Sequence, residues 1–253
     1  MIAFAAIDLR GGRVVQLVGG RPEDERISLP DPAAVARRWI DTGFTALHVV
    51  DLDGALGTGR NGSAISAILE LAGGHGALVQ VGGGVRDDET AAALLDAGAA
   101  RVIAGTRAIE EPSWLEALAA QYPDRVVVAA DVRGTEVVSR GWTERSGVRI
   151  TELLARLEGL PIAGVLVTDV DREGSMSGAD ASRFRGFVGA TRHPLLAAGG
   201  IASERDLRAL ADAGAAGAVL GMALYTGAVD GYTAARAYAG TTPAARADTG
   251  EGG

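Results

Sequence analysis

The chain has 253 residues, 47% of them hydrophobic and only 4% aromatic, so a core of Ala, Val, Leu and Ile is expected. Its formal net charge of −8 speaks against a nucleic-acid binder but leaves room for a local basic pocket. With no cysteine, disulfides and thiolate chemistry are excluded, and zinc would depend on carboxylates and three scattered histidines, His48, His75 and His193.

Eight short apolar runs read as strands, in order Ile2–Ile7, Ala46–Val50, Ala77–Val81, Arg101–Ala104, Arg125–Ala130, Gly164–Thr168, Pro194–Ala197 and Gly217–Leu220. Helical patterns fall between them. Pro32–Ile40 is amphipathic and stops near Gly43, Asp88–Ala97 ends at Gly98, and Glu204–Asp212 ends at Gly214; Ser113–Tyr122 and Ile150–Leu157 read similarly. The charged Arg21–Arg26 reads as a solvated, mobile loop. Runs this continuously apolar, alternating with helices, predict a parallel sheet. An open doubly wound sheet is the rival to a closed one. No break in composition marks a second domain, so residues 1–239 are expected to form one unit, with 240–253 a disordered tail. No run approaches the ~18 apolar residues of a membrane span, and no secretory pattern opens the chain. The expectation is a cytoplasmic monomer with no membrane or nucleic-acid partner.

The chain repeats itself at an offset of about 120 residues. Ala6-Ile-Asp8-Leu-Arg-Gly-Gly-Arg-Val-Val15 parallels Ala129-Ala-Asp131-Val-Arg-Gly-Thr-Glu-Val-Val138, and His48-Val-Val-Asp51 parallels Val167-Thr-Asp169. Val79-Gln-Val-Gly-Gly-Gly-Val-Arg86 parallels Leu195-Leu-Ala-Ala-Gly-Gly-Ile-Ala202, and Gly105 pairs with Gly221. Two matched halves of four βα units favour closure into a (β/α)8 TIM barrel built from two duplicated half-barrels, because an open half leaves edges unpaired.

In such a barrel the strand ends open onto one catalytic face. Asp8 and Asp131 each leave an apolar wall there, where desolvation raises a carboxyl pKa, and so pair as base and acid. A helix cap is the plainer alternative for any strand-end Asp, Asp51 and Asp169 included. Gly82, Gly83, Gly84, Gly105 and Thr106 would form one phosphate cradle, and Gly199, Gly200 and Gly221 the other. Simple tight corners are the alternative. A ligand with a phosphate at each end would span the two.

These residues, with Gly141-Trp142, resemble the phosphoribosylformimino-AICAR phosphate (ProFAR) isomerase family of histidine biosynthesis, from residue 2 to about residue 228. The resemblance implies a bisphosphorylated ribonucleotide substrate, no cofactor, no metal and an Amadori rearrangement from aldose to ketose. By position it makes Asp8 the general base and Asp131 the general acid, with Thr168 placing the acid and Asp51 in a positional role. Trp142 either stacks on the substrate's imidazole or anchors a rim loop.

Three positions depart from the family's pattern: Gln16 where Arg or Lys is usual, Glu173 where Asp is usual, and Met222 where Lys is frequent. Gln16 removes a charge that would hold phosphate or substrate, a loss for which Arg86, Arg107, Arg133, Arg140 and Arg145 are available. Glu173 keeps a carboxylate one CH2 further out. The alternatives are a bifunctional isomerase that also takes phosphoribosyl anthranilate, with Arg140 or Arg145 meeting its carboxylate, the cyclase subunit of imidazole glycerol phosphate synthase, and a silent phosphoribosyl-ligand binder. Ala6-Ile-Asp8 and Gln16 speak against the cyclase.

Overall fold

The computed structural model describes residues 1–139, 141, 142 and 144–240, and for residue 145 the backbone alone. Arg140, the Arg145 side chain and the tail 241–253 therefore lie outside the described residues. Strands run in the order β1 (Ile2–Arg10), β2 (Arg13–Leu17), β3 (Glu25–Leu29), β4 (Ala46–Asp51), β5 (Leu78–Gly82), β6 (Arg101–Ala104), β7 (Val126–Arg133), β8 (Glu136–Ser139), β9 (Glu144–Arg149), β10 (Gly164–Asp169), β11 (Leu195–Ala198) and β12 (Gly217–Leu220). Eight of them, β1, β4, β5, β6, β7, β10, β11 and β12, are parallel neighbours around a ring. β12 pairs with β1 and β10 with β7, so the sheet closes on itself. The (β/α)8 barrel replaces the open-sheet alternative.

Period-two alternation sorts each strand. Phe4 and Ala6 of β1, Leu78 of β5, Ile103 of β6, Val127 of β7, Leu166 of β10, Leu196 of β11 and Val219 of β12 fill the lumen. Ala3, Ala5, Ile7 and Leu9 of the same β1 face the helices, with Val35, Ala36 and Trp39 of the helix Pro32–Thr42 in that outer core. His48 of β4 meets Gln80 of β5 at 2.8 Å inside the ring, and the lack of water there pushes the histidine down to about 4.

Two antiparallel hairpins rise from the rim. β2 and β3 extend β1, and β8 and β9 extend β7. In the first, the stretch Arg21–Arg26, expected as a solvated, mobile loop, holds a single 3-10 turn, Pro22–Asp24, that leads into β3. Among the described residues no helix is long and apolar enough to cross a membrane.

Candidate active site

Asp8 continues the lumen-facing set of Phe4 and Ala6, and Asp131 continues that of Val127 and Ala129. β1 and β7 stand four strands apart in a ring of eight, so the two carboxyls face each other across the mouth. Burial over an apolar lumen pushes Asp8 up to about 7, against a hydrogen bond from Gln16 that works in the opposite direction. Asp131 is raised for the same reason, and hydrogen bonds from Trp142 and Thr168 moderate the shift. The Trp142 indole Nε1 donates to Asp131 Oδ2 at 2.8 Å, and Thr168 is the direct register partner of Asp131 on β10. The indole thus sits on the acid, a contact that neither reading of it from sequence included.

A third carboxyl joins them. Glu173, half-buried in the loop after β10, is pushed up to about 8 by desolvation first and then by the charges of Asp8, Asp131 and Asp169. Its carbonyl accepts from Gly19 N at 3.0 Å, which ties this loop to the first hairpin.

The other two strand-end aspartates point away from the lumen. Asp51 caps the helix Leu52–Leu56, accepting from Gly54 N at 3.0 Å, Asn61 N at 2.8 Å and Asn61 Nδ2 at 2.7 Å. Asn61 Oδ1 in turn accepts from Gly12 N at 2.8 Å, which anchors the turn of the first hairpin. Asp169 is held by Arg183 and, at 3.2 Å, by Arg172. For both, the cap or structural tie is what the geometry provides. Asn61, Arg172 and Arg183 carry no local motif, and only the folded neighbourhood reveals them.

The glycine loops fall on the same face and repeat each other in detail. Gly83 and Gly199 both have φ +93°, and Gly84 and Gly200 have +79° and +76°. Gly105 and Gly221 precede the short helices Thr106–Glu110 and Met222–Tyr225 with φ/ψ of −103°/−115° and −101°/−110°. A Cβ on Gly83 would overlap the Asp51 carbonyl, and one on Gly199 would sit 2.5 Å from the Asp169 carbonyl. Gly82, packed on Ile103, lines the lumen end of β5. Part of the glycine pattern is therefore close backbone packing. Gly105 differs, because a Cβ there would meet only Ala129, at 3.9 Å.

Residues 2–230 match the model of the histidine biosynthesis protein family. The chain belongs to that family. A relative from Myxococcus xanthus is 51% identical over 95% of this chain and 100% of its own. Another from Gemmatimonas aurantiaca is 49% identical over 94% and 99%, and one from Methanothrix thermoacetophila 45% over 90% and 93%. Each is named a 1-(5-phosphoribosyl)-5-((5-phosphoribosylamino)methylideneamino)imidazole-4-carboxamide isomerase.

Within this histidine biosynthesis protein the three departures occupy distinct places. Gln16 is buried on β2 and donates to Asp8, so it addresses a carboxylate and not open solvent. Glu173 adds its carboxyl to the mouth. Met222 is buried at the start of the last short helix but one. Of the arginines, Arg86 donates to Ala55 O at 2.6 Å beside the first cradle. Arg107 pairs with Glu111 at 3.0 Å and stacks on Trp114, and Arg133 pairs with Asp171 at 3.2 Å.

Proposed function

We propose that this protein is a cofactor-independent aldose–ketose isomerase that converts ProFAR to its ribulosyl isomer. The observation that carries the reading is the pair Asp8 and Asp131, two desolvated carboxyls facing across one barrel mouth between two glycine cradles. The names that these relatives carry support the same reaction.

Asp131, protonated because its apolar setting disfavours the charge, gives its proton to the ribose ring oxygen. The ring opens to a protonated imine. Asp8, ionised, takes the proton from C2′ and leaves an enolamine, which regains a proton at C1′ as its hydroxyl becomes the ketone. Protons and electrons balance within the substrate and the two carboxyls. Thr168 and Trp142 fix the acid before substrate arrives, and the cradles hold the two phosphates through backbone N–H groups at helix starts.

One observation favours a second candidate for the acid. Glu173, raised by desolvation, lies within the field of both aspartates at the same mouth. Steady-state turnover of the purified protein in EDTA, with ProFAR and phosphoribosyl anthranilate offered in parallel, tests the proposal. Turnover of ProFAR is expected. Asp8→Asn and Asp131→Asn are each expected to lower kcat by about three orders of magnitude with KM nearly unchanged. Near-parental kcat in Asp131→Asn together with loss in Glu173→Gln would move the acid to Glu173, and silence on both substrates defeats the isomerase reading.

A further inference from the structure

Gln16 is 3% exposed, a buried polar side chain on a rim hairpin. The antiparallel register sets Asp8 opposite Val15, so the next residue on β2 is carried alongside the carboxylate. Gln16 Nε2 donates to Asp8 Oδ2 at 3.0 Å and to Val15 O at 3.0 Å. The other end of the amide is wedged against Gly221, where a Cβ would sit 2.6 Å from Gln16 Oε1. The amide is bonded to the base at one end and lies against Gly221 of the second cradle at the other. A side chain held by two hydrogen bonds and packed at its far end loses little further freedom when it acts, which suits a positioning role.

We propose that Gln16 is the positioning residue of the general base: its neutral amide fixes the Asp8 carboxylate through Oδ2 and turns Oδ1 toward the substrate. The proposal deepens the isomerase reading and rests on Asp8 being the base. A cation in this place would stabilise the Asp8 anion more strongly than an amide does and make it a poorer proton acceptor. The amide orients without neutralising. Other titratable groups near Asp8 are Glu173, in the loop after β10, and Tyr225, whose hydroxyl donates to Ala6 O at 2.7 Å and whose pKa is pushed above the ordinary phenol range by burial. Arg10 turns outward to Glu25 at 3.5 Å.

Carbon-13 NMR titration of the labelled Asp8 carboxyl, beside the pH profile of kcat/KM for ProFAR, tests this in the parent, Gln16→Met and Gln16→Lys. In Gln16→Met, the Asp8 titration and the acidic limb of the profile are expected to rise together by about one pH unit, with kcat down about tenfold and KM changed less than about threefold. In Gln16→Lys both are expected to fall by about one pH unit. Because the two variants act in opposite directions, the proposal stays testable if one of them fails to fold. Coincident Asp8 titrations in the folded proteins overturn it, as does a loss of kcat with the limb unmoved. Full turnover by Asp8→Asn overturns instead the assignment of the base on which it rests.

Discussion

Asp8, Asp131 and Glu173 crowd three carboxyls over one apolar lumen, an arrangement that favours chemistry at the expense of stability at alkaline pH. Glu173 shows the sign of the effect. Its pKa in the folded protein is about 8 against an ordinary 4.5, so between those values the native state holds a proton that the unfolded chain has released. Stability against unfolding therefore declines as pH rises through this window. Glu173→Gln keeps the shape and removes the titration. Its thermal midpoint should exceed the parent's at pH 8.5 and approach it at pH 4.5; a deficit at pH 8.5, or a gain independent of pH, contradicts the account. The desolvated setting of Asp8 and Asp131 was legible from sequence because apolar residues precede them on lumen-facing strand positions. The role of Gln16 was not, because a strand residue's partner depends on hairpin register, and the hairpin itself was unread. The departure at position 16 was visible, but its meaning was taken as lost charge toward phosphate or substrate, whereas its amide turns to Asp8.

At the level of elements, all eight barrel strands were readable from continuous apolar runs, with ends shifted by a few residues at most. β2, β3, β8 and β9 were not, since a half-exposed hairpin mixes polar and apolar residues and Arg21–Arg26 looks fully solvated. The helix Gly62–Gly74 also escaped, because glycines at both of its ends mask the pattern between them. The glycine loops were read as phosphate cradles, with simple tight corners as the alternative, and the structure adds a packing demand. Gly83 needs its positive φ and has the Asp51 backbone directly against the place of a Cβ. Gly98 has a similar φ of +104° with nothing within 4 Å of that place. Gly98→Ala carries only the backbone cost, about 1–2 kcal/mol. Gly83→Ala adds an overlap with main chain and should cost about 3–5 kcal/mol. Denaturant midpoints of the two variants measure the difference, and equal losses would falsify the packing role. A rise in KM for Gly83→Ala thus reports the fold as well as phosphate binding. Gly105, which has almost nothing against it, is the cleaner probe of the cradle.

In the whole molecule, closure of the ring leaves one open face, and loops from both halves converge over it. Gly20, in the first hairpin, lies so close beneath the Trp142 ring that a Cβ there would overlap it. Gly19 bonds the Glu173 carbonyl, and Leu56 approaches Gly141. The indole of Trp142 is at once the donor to Asp131 and the contact between the two hairpins. With Oδ2 engaged by that indole, Asp131 can present only Oδ1 to a ribose. A substrate reaching from one cradle to the other must pass through the same space. Binding is therefore expected to displace Trp142 and separate the two hairpin tips before the acid is released. The other two tryptophans, Trp39 and Trp114, are 2% and 9% exposed among the outer helices and should report nothing of this. Titrating ProFAR into the Asp8→Asn variant, which binds without turning over, should change tryptophan emission saturably. Adding Trp142→Phe to that variant should abolish the change. A signal that survives Trp142→Phe would assign it to the buried pair, and no signal at saturating substrate would mean that the indole stays on Asp131 and that the acid acts through its other oxygen.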